Sequence, residues 1–178
     1  MTPSPNTTRA NADDATRVFR SVLAELPKGV TIVATRSAAG PVGATASAVS
    51  SLSLEPPLVL VSLARESRTL RHVRQHGAFS INVLRDRHRE IAEAFAIGTH
   101  HDRFAAVPHH IRHDAPVLDD ALAWVTCRLH ATYPGGDHVI VVGEVTHMSR
   151  DGGDPLVWHR GGYHRLIGLA DPAGACLR

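Results

Sequence analysis

The sequence predicts a mainly β protein, an antiparallel barrel decorated with short helices, and three observations predict it. Segments of strand character follow one another through turn signals, whereas a doubly wound sheet would alternate them with longer helices. The two longest, Ala121 to Tyr133 and His138 to Met148, are joined by the turn "PGGD" and read as one long hairpin. Helical periodicities are few and short. A length of 178 residues with 43% hydrophobic content suits one domain with a sizeable core. That domain is read as residues 17–168, between a flexible N-terminal tail, 1–16, and a C-terminal tail, 169–178.

Asp13 or Asp14 is the expected cap of a first helix running to about Leu26, with Val18, Phe19, Val22, Leu23 and Leu26 at helical spacing. Such an amphipathic helix should pack on a sheet. Pro27 and Gly29 end it, and "VTIVAT", Val30 to Thr35, is a β-branched strand. "SAAGP" then turns the chain into a strand of small residues that starts at Gly43 and is broken by Pro56 and Pro57. Pro56 and Pro57 cannot donate to a ladder and so stand at the entrance of the next strand, "LVLVSLA". Ser67 caps the helix "RTLRHVRQH", Gly77 stops it, and "AFSINVL" is a strand. A further helix, about Arg87 to Ile97, places Ile91, Ala94 and Phe95 on one face and stops at Gly98. Thr99 to Asp119 reads as a long polar surface loop, and the tally is roughly six strands.

Several function classes lose their support. No apolar run has signal-peptide or membrane-helix length, so a soluble cytoplasmic protein is expected. Cys127 and Cys176 match neither a disulfide framework nor a zinc spacing. The net charge of +2 announces no nucleic-acid partner, and with four Phe, two Trp and two Tyr the chain lacks aromatics for base stacking. Charge is uneven, however: Arg65, Arg68, Arg71, Arg74, Arg85, Arg87 and Arg89 face only Glu66 and Asp86 between them, which suits a local anion site. His109 and His113 are four residues apart with His100, His101 and His110 near, but Pro108 and Pro116 argue against a continuous helix there. His72 and His76 share that spacing among arginines that repel a cation. No metal is expected. Rossmann, P-loop and nucleophile-elbow motifs are missing as well.

Two features remain. The strand Gly43, Ala44, Thr45, Ala46, Ser47, Ala48 keeps its backbone nearly bare, which close packing of a helix or a ligand lying against it would explain. "GGDH", Gly135 to His138, sets a histidine at the mouth of the long hairpin, although Gly-Gly-Asp is also ordinary turn chemistry.

Taken in order, "SLSLEPPLVLVSL", the helix beginning "SRTL", "FSINVL", "GDHVIVVGEV" and "LVWHRGGYHRL" resemble the short-chain flavin reductase family, the reductase components of two-component flavin-dependent monooxygenases. The match runs from about Phe19 to Leu166. The resemblance implies an FMN-binding split β-barrel, a homodimer with flavin sites near its interface, and reduction of FAD or FMN by NADH or NADPH, with NADH favoured. It also implies a separate oxygenase or halogenase that receives reduced flavin. Carried over residue by residue, the flavin would lie on Gly43, Ala44, Thr45, Ala46, Ser47 and Ala48, with Ser62, Leu63 and Ala64 at the end of the next strand. Arg68 and Thr69 would hold the rest of the flavin at a helix start, where amide N–H groups and an arginine favour a phosphate. Ala94 and Phe95 would touch it further out. His138 would orient the nicotinamide nucleotide, Asp137 would hold the turn, and Arg160 and Tyr163 would lie near that nucleotide. The family often has Tyr at the position of His159. A rival expectation is a split-barrel module that binds flavin, or senses redox state, without turning over NADH.

Overall fold

The structure, a computed structural model, describes residues 5–96 and 103–168. The order is α1 (Pro5–Ala24), β1 (Lys28–Gly29), β2 (Thr31–Ser37), β3 (Gly40–Ala46), β4 (Val49–Leu54), β5 (Pro57–Ala64), α2 (Arg68–His76) and β6 (Ala78–Val83). There follow α3 (Arg89–Ala96), β7 (His109–Arg112), β8 (Ala115–Leu118), β9 (Ala123–Gly135), β10 (His138–Arg150), β11 (Leu156–His159) and β12 (Gly162–Arg165). Cys176, His100, His101, Gly98 and the C-terminal tail lie outside the described residues.

Seven strands form one antiparallel sheet in the order β3-β2-β6-β9-β10-β5-β4. Laid flat, its edges would stand about 29 Å apart at ~4.8 Å per strand. Yet β3 and β4, the two edges, are joined by Ser47 and Ala48 alone, a link that spans about 10 Å at full stretch. The sheet therefore rolls up. The Ser62 amide donates to the Ala48 carbonyl at 2.9 Å and ties the link to β5, while no ladder joins β3 to β4 among the described residues. The result is a barrel split along one seam.

β2 is buried on both faces, and its alternation feeds two cores. Val33 points to the barrel interior with Val61, Phe79, Ile81 and Val141, where Leu70 and Val73 bring α2 in as a plug. Ile32 and Ala34 point the other way, to Ala92 and Phe95 of α3, Phe104, Leu118 and Leu156. Each large side chain buried in this way contributes about 1.5–3 kcal/mol.

The structure corrects five expectations. The first helix begins at Pro5, well before Asp13, and takes in part of the segment read as tail. It does not pack on the sheet: Phe19 is 64% and Val22 59% exposed, and Val18, Leu23 and Leu26 are open as well. The small-residue strand is two strands, because Ser47 and Ala48 carry no apolar alternation to extend either ladder. The expected loop Thr99 to Asp119 contains the β7–β8 hairpin, whose Ala115, Val117 and Leu118 are buried. β1, β7, β8, β11 and β12, of two to four residues, are too short to show a period, which is why the tally of roughly six falls short.

Candidate functional site

The seam gathers four parts that are distant in sequence. The first is the outer edge of β3. In its ladder with β2 the register pairs Val33 with Ala44 and Ile32 with Thr45. The Val30 carbonyl accepts the Leu84 amide and the Ile32 carbonyl accepts the Asn82 side-chain amide, both on the β6 side, so Val33 faces β3 and, by alternation, Gly43 and Thr45 turn their backbone groups outward. The second part is the end of β5, Ser62 to Ala64. The third is the start of α2, where Ser67 accepts the Leu70 amide with its hydroxyl and the Arg71 amide with its carbonyl. As expected, Ser67 is the cap and Gly77, in a left-handed conformation, the stop. The amides of Arg68 and Thr69 thus stand at the positive end of a helix.

The turn before β10 is the fourth part. Gly136 has φ 73°, which a residue with a side chain rarely adopts, and the turn brings His138 opposite Ala64 in the β5–β10 ladder. His138 Nδ1 lies 2.8 Å from Asp137 Oδ1 and donates to it, leaving Nε2 directed away from the carboxylate. That hydrogen bond, then the His138 charge, and more weakly Arg65 hold the Asp137 carboxyl below its usual range. His138 is half exposed.

One wall of the seam is α3. The Thr45 hydroxyl donates to the Ala92 carbonyl at 2.6 Å, and Arg103 Nη1 donates to the carbonyls of Phe95 (2.6 Å) and Gly43 (3.2 Å). A Cβ on Gly43 would sit 3.1 Å from the Phe95 ring and 3.2 Å from the Phe104 ring, so this glycine admits α3 and the Phe104 segment against the strand. Arg103 escaped the sequence reading because it lies in the stretch taken for a polar loop. Burial first, and the charge of Arg68 second, push its guanidinium below the ordinary value.

The expected site residues fall into four groups. Ala44, Ser47, Ala48, Ser62, Ala64, Arg68, Asp137 and His138 surround the seam with at least part of their surface accessible, and Ala94 is exposed on α3. Phe95, Leu63, Thr69 and Ala46 are core residues, so a ligand meets at most their main chain. Gly43 and Thr45 serve α3, as described. Arg160 and Tyr163 belong elsewhere within one chain. Arg160 binds Glu25 at 2.5 Å and donates its amide to Ala24 at the end of α1, while Tyr163 packs edge-on against Trp158 beneath Arg89. Burial, with Glu93 beside it, raises the Tyr163 hydroxyl above its usual pKa. The arginine cluster also divides: Arg85 is buried, binding the Asp120 and Gly152 carbonyls and Asp151, and Arg87 and Arg89 pair with Asp120 and Glu93.

Residues 23–166 match the family model described as a flavin reductase like domain. The chain belongs to that family. A Thermus thermophilus protein named "4-hydroxyphenylacetate 3-monooxygenase, reductase component" is 40% identical over 150 residues, 84% of this chain and 95% of that one. A Rhizobium meliloti "Probable flavin reductase" is 40% identical over 158 residues, 86% of this chain, and this chain spans 50% of its length. Among solved structures, the Streptomyces globisporus NADH:FAD oxidoreductase SgcE6, in complex with NAD and FAD fragments, superposes with a TM-score of 0.82 at 31% identity, covering 87% of this chain and 95% of that one. This flavin reductase family member shares their split barrel. Among the described residues no cluster of three metal-ligating side chains occurs and no helix is long and apolar enough to cross a membrane. His109, His110 and His113 turn to the Val107 carbonyl, Asp119 and the His147 ring respectively.

Proposed function

We propose that the chain is an NAD(P)H:flavin oxidoreductase that uses NADH to reduce FAD or FMN and releases the product to a separate flavin-dependent oxygenase or halogenase. The observation that carries this reading is the convergence of the bare β3–β4 link, the end of β5, the start of α2 and the His138 turn on one seam. The residues fit a flavin. Ala44, Ser47 and Ala48 leave room for a planar ring, Thr45 turns main-chain groups toward it, and α2 opens toward a phosphate with Arg68 in its first turn. A bound flavin supplies the acceptor for two electrons from a reduced nicotinamide, a transfer that needs stacking at roughly 3 to 3.5 Å and no strong acid or base.

The protein's contribution is therefore positioning. His138, fixed through Nδ1 by Asp137, offers Nε2 to the nicotinamide nucleotide rather than moving a proton. The names of the Thermus and Streptomyces relatives support the supply of reduced flavin and the use of NADH. Release between turnovers calls for a micromolar flavin dissociation constant, about 8 kcal/mol. The open apolar face of α1, Val18, Phe19, Val22, Leu23 and Leu26, supports a homodimer, which would bring a partner's surface to cover it. Phe19→Ser should then shift the mass measured by light scattering from dimer to monomer.

The test is NADH oxidation followed at 340 nm with FAD, FMN or no flavin. Rapid flavin-dependent loss is expected. No loss with either flavin, repeated with NADPH, leaves a flavin-binding module and refutes the proposal.

A further inference from the structure

The turn that carries His138 projects from the barrel, with Tyr133 through Asp137 exposed. Exposed turns of this kind open at low free-energy cost unless something ties them down. Here the ladders pair His138 with Gly135 and Ala64, and Arg65 adds a tie beyond them, at the tip. Its amide donates to the Asp137 carbonyl at 2.9 Å and its guanidinium donates to the Gly136 carbonyl. Arg65 follows Ala64, the residue paired with His138, and the next link is the Ser67 amide, which donates to the Ala64 carbonyl at 2.9 Å just before α2 begins. Three residues, Arg65 to Ser67, thus join the helix start proposed to meet the flavin phosphate to the turn proposed to meet the nicotinamide.

We infer that Arg65 is a positioning residue that locks the Gly136–Asp137 turn onto the β5–α2 junction and so holds His138 in register with the flavin site. This rests on the proposed reductase reading. Arg65 acts through the turn, because its guanidinium is taken up by the Gly136 carbonyl. Its backbone bond to Asp137 survives substitution, whereas the guanidinium bond to Gly136 does not, so the side chain is separately testable. Lysine keeps the charge but replaces a planar fork with a flexible point donor.

The experiment compares wild type, Arg65→Met, Arg65→Lys, His138→Ala and the double variant Arg65→Met/His138→Ala. NAD⁺ affinity is read by calorimetry, flavin affinity by fluorescence, and KM for NADH at saturating flavin. Arg65→Met should weaken NAD⁺ binding and raise the NADH KM by about tenfold, as expected for one lost hydrogen bond from a charged donor, with flavin affinity within about twofold. Arg65→Lys should recover part of that loss. Because Arg65 acts through His138, the double variant should match His138→Ala within about twofold. Additive losses, or equal losses of flavin and NAD⁺ affinity, would show a general structural role and overturn the inference. A wild type that binds both ligands without oxidising NADH would refute the reductase reading alone, since the binding comparisons still decide the role of Arg65.

Discussion

β2 and β3 lie side by side in one ladder and are built on opposite principles. β2 runs Thr31 to Thr35 with every residue buried, and its β-branched and apolar side chains feed both cores. β3 carries Gly43, Ala44, Thr45 and Ala46, and its outer edge has no strand partner among the described residues. One strand is spent wholly on packing; its neighbour receives α3 through Gly43 and Thr45 and keeps Ala44 and an unpaired edge accessible. A barrel in which every strand resembled β2 would close on itself and leave no seam.

The comparison is broken most severely from the β2 side. Ile32, fully buried under α3, should cost about 2–5 kcal/mol on replacement by alanine, read as a lowered urea midpoint, while flavin affinity of the folded fraction stays within about twofold. A loss of flavin affinity without loss of stability would reverse the roles assigned to the two strands. From the β3 side, Ala48→Trp should weaken flavin binding by about tenfold or more, with stability changed by about 0.5 kcal/mol at most because Ala48 is exposed. Thr45→Val should fall between, since it frees the Ala92 carbonyl from its side-chain donor: about 1 kcal/mol of stability, and a smaller flavin loss than Ala48→Trp causes.

The smallest effect is electrostatic. The folded-state pKa of Asp137 is depressed, so its bond to His138 is fully present above the ordinary carboxylate value of about 3.9 and is lost only as pH falls through the lower folded-state value. The carboxyl titration of Asp137 followed by NMR should be centred below the ordinary carboxylate value of about 3.9. A titration centred above that value would contradict the hydrogen bond as described.

Much of this was legible in the chain. The long hairpin, the Ser67 cap and the Gly77 stop follow from alternation and terminal residues alone, which act locally. The resemblance named candidate flavin residues, but their division into accessible and buried ones needed the fold: Phe95 and Leu63 are apolar residues whose facing is set by helix and strand partners far away in sequence. Arg103 fell in the expected polar loop and Arg65 was read only as one cation of a cluster, and their particular roles have a further cause for escaping notice. Both work through main-chain carbonyls, and a donor to a backbone oxygen leaves no complementary residue type to notice. The exposed face of α1 was read correctly as amphipathic, yet periodicity records only that a face is apolar and says nothing of what covers it.

The central claim is that flavin and nicotinamide meet the protein on different sides of one seam, and the most direct test measures both Michaelis constants in two variants. His138→Ala should raise the KM for NADH by about tenfold with the flavin KM within about twofold, and Ala48→Trp should do the reverse. If both substitutions raise the same constant, or both raise the two equally, the division of the seam is wrong.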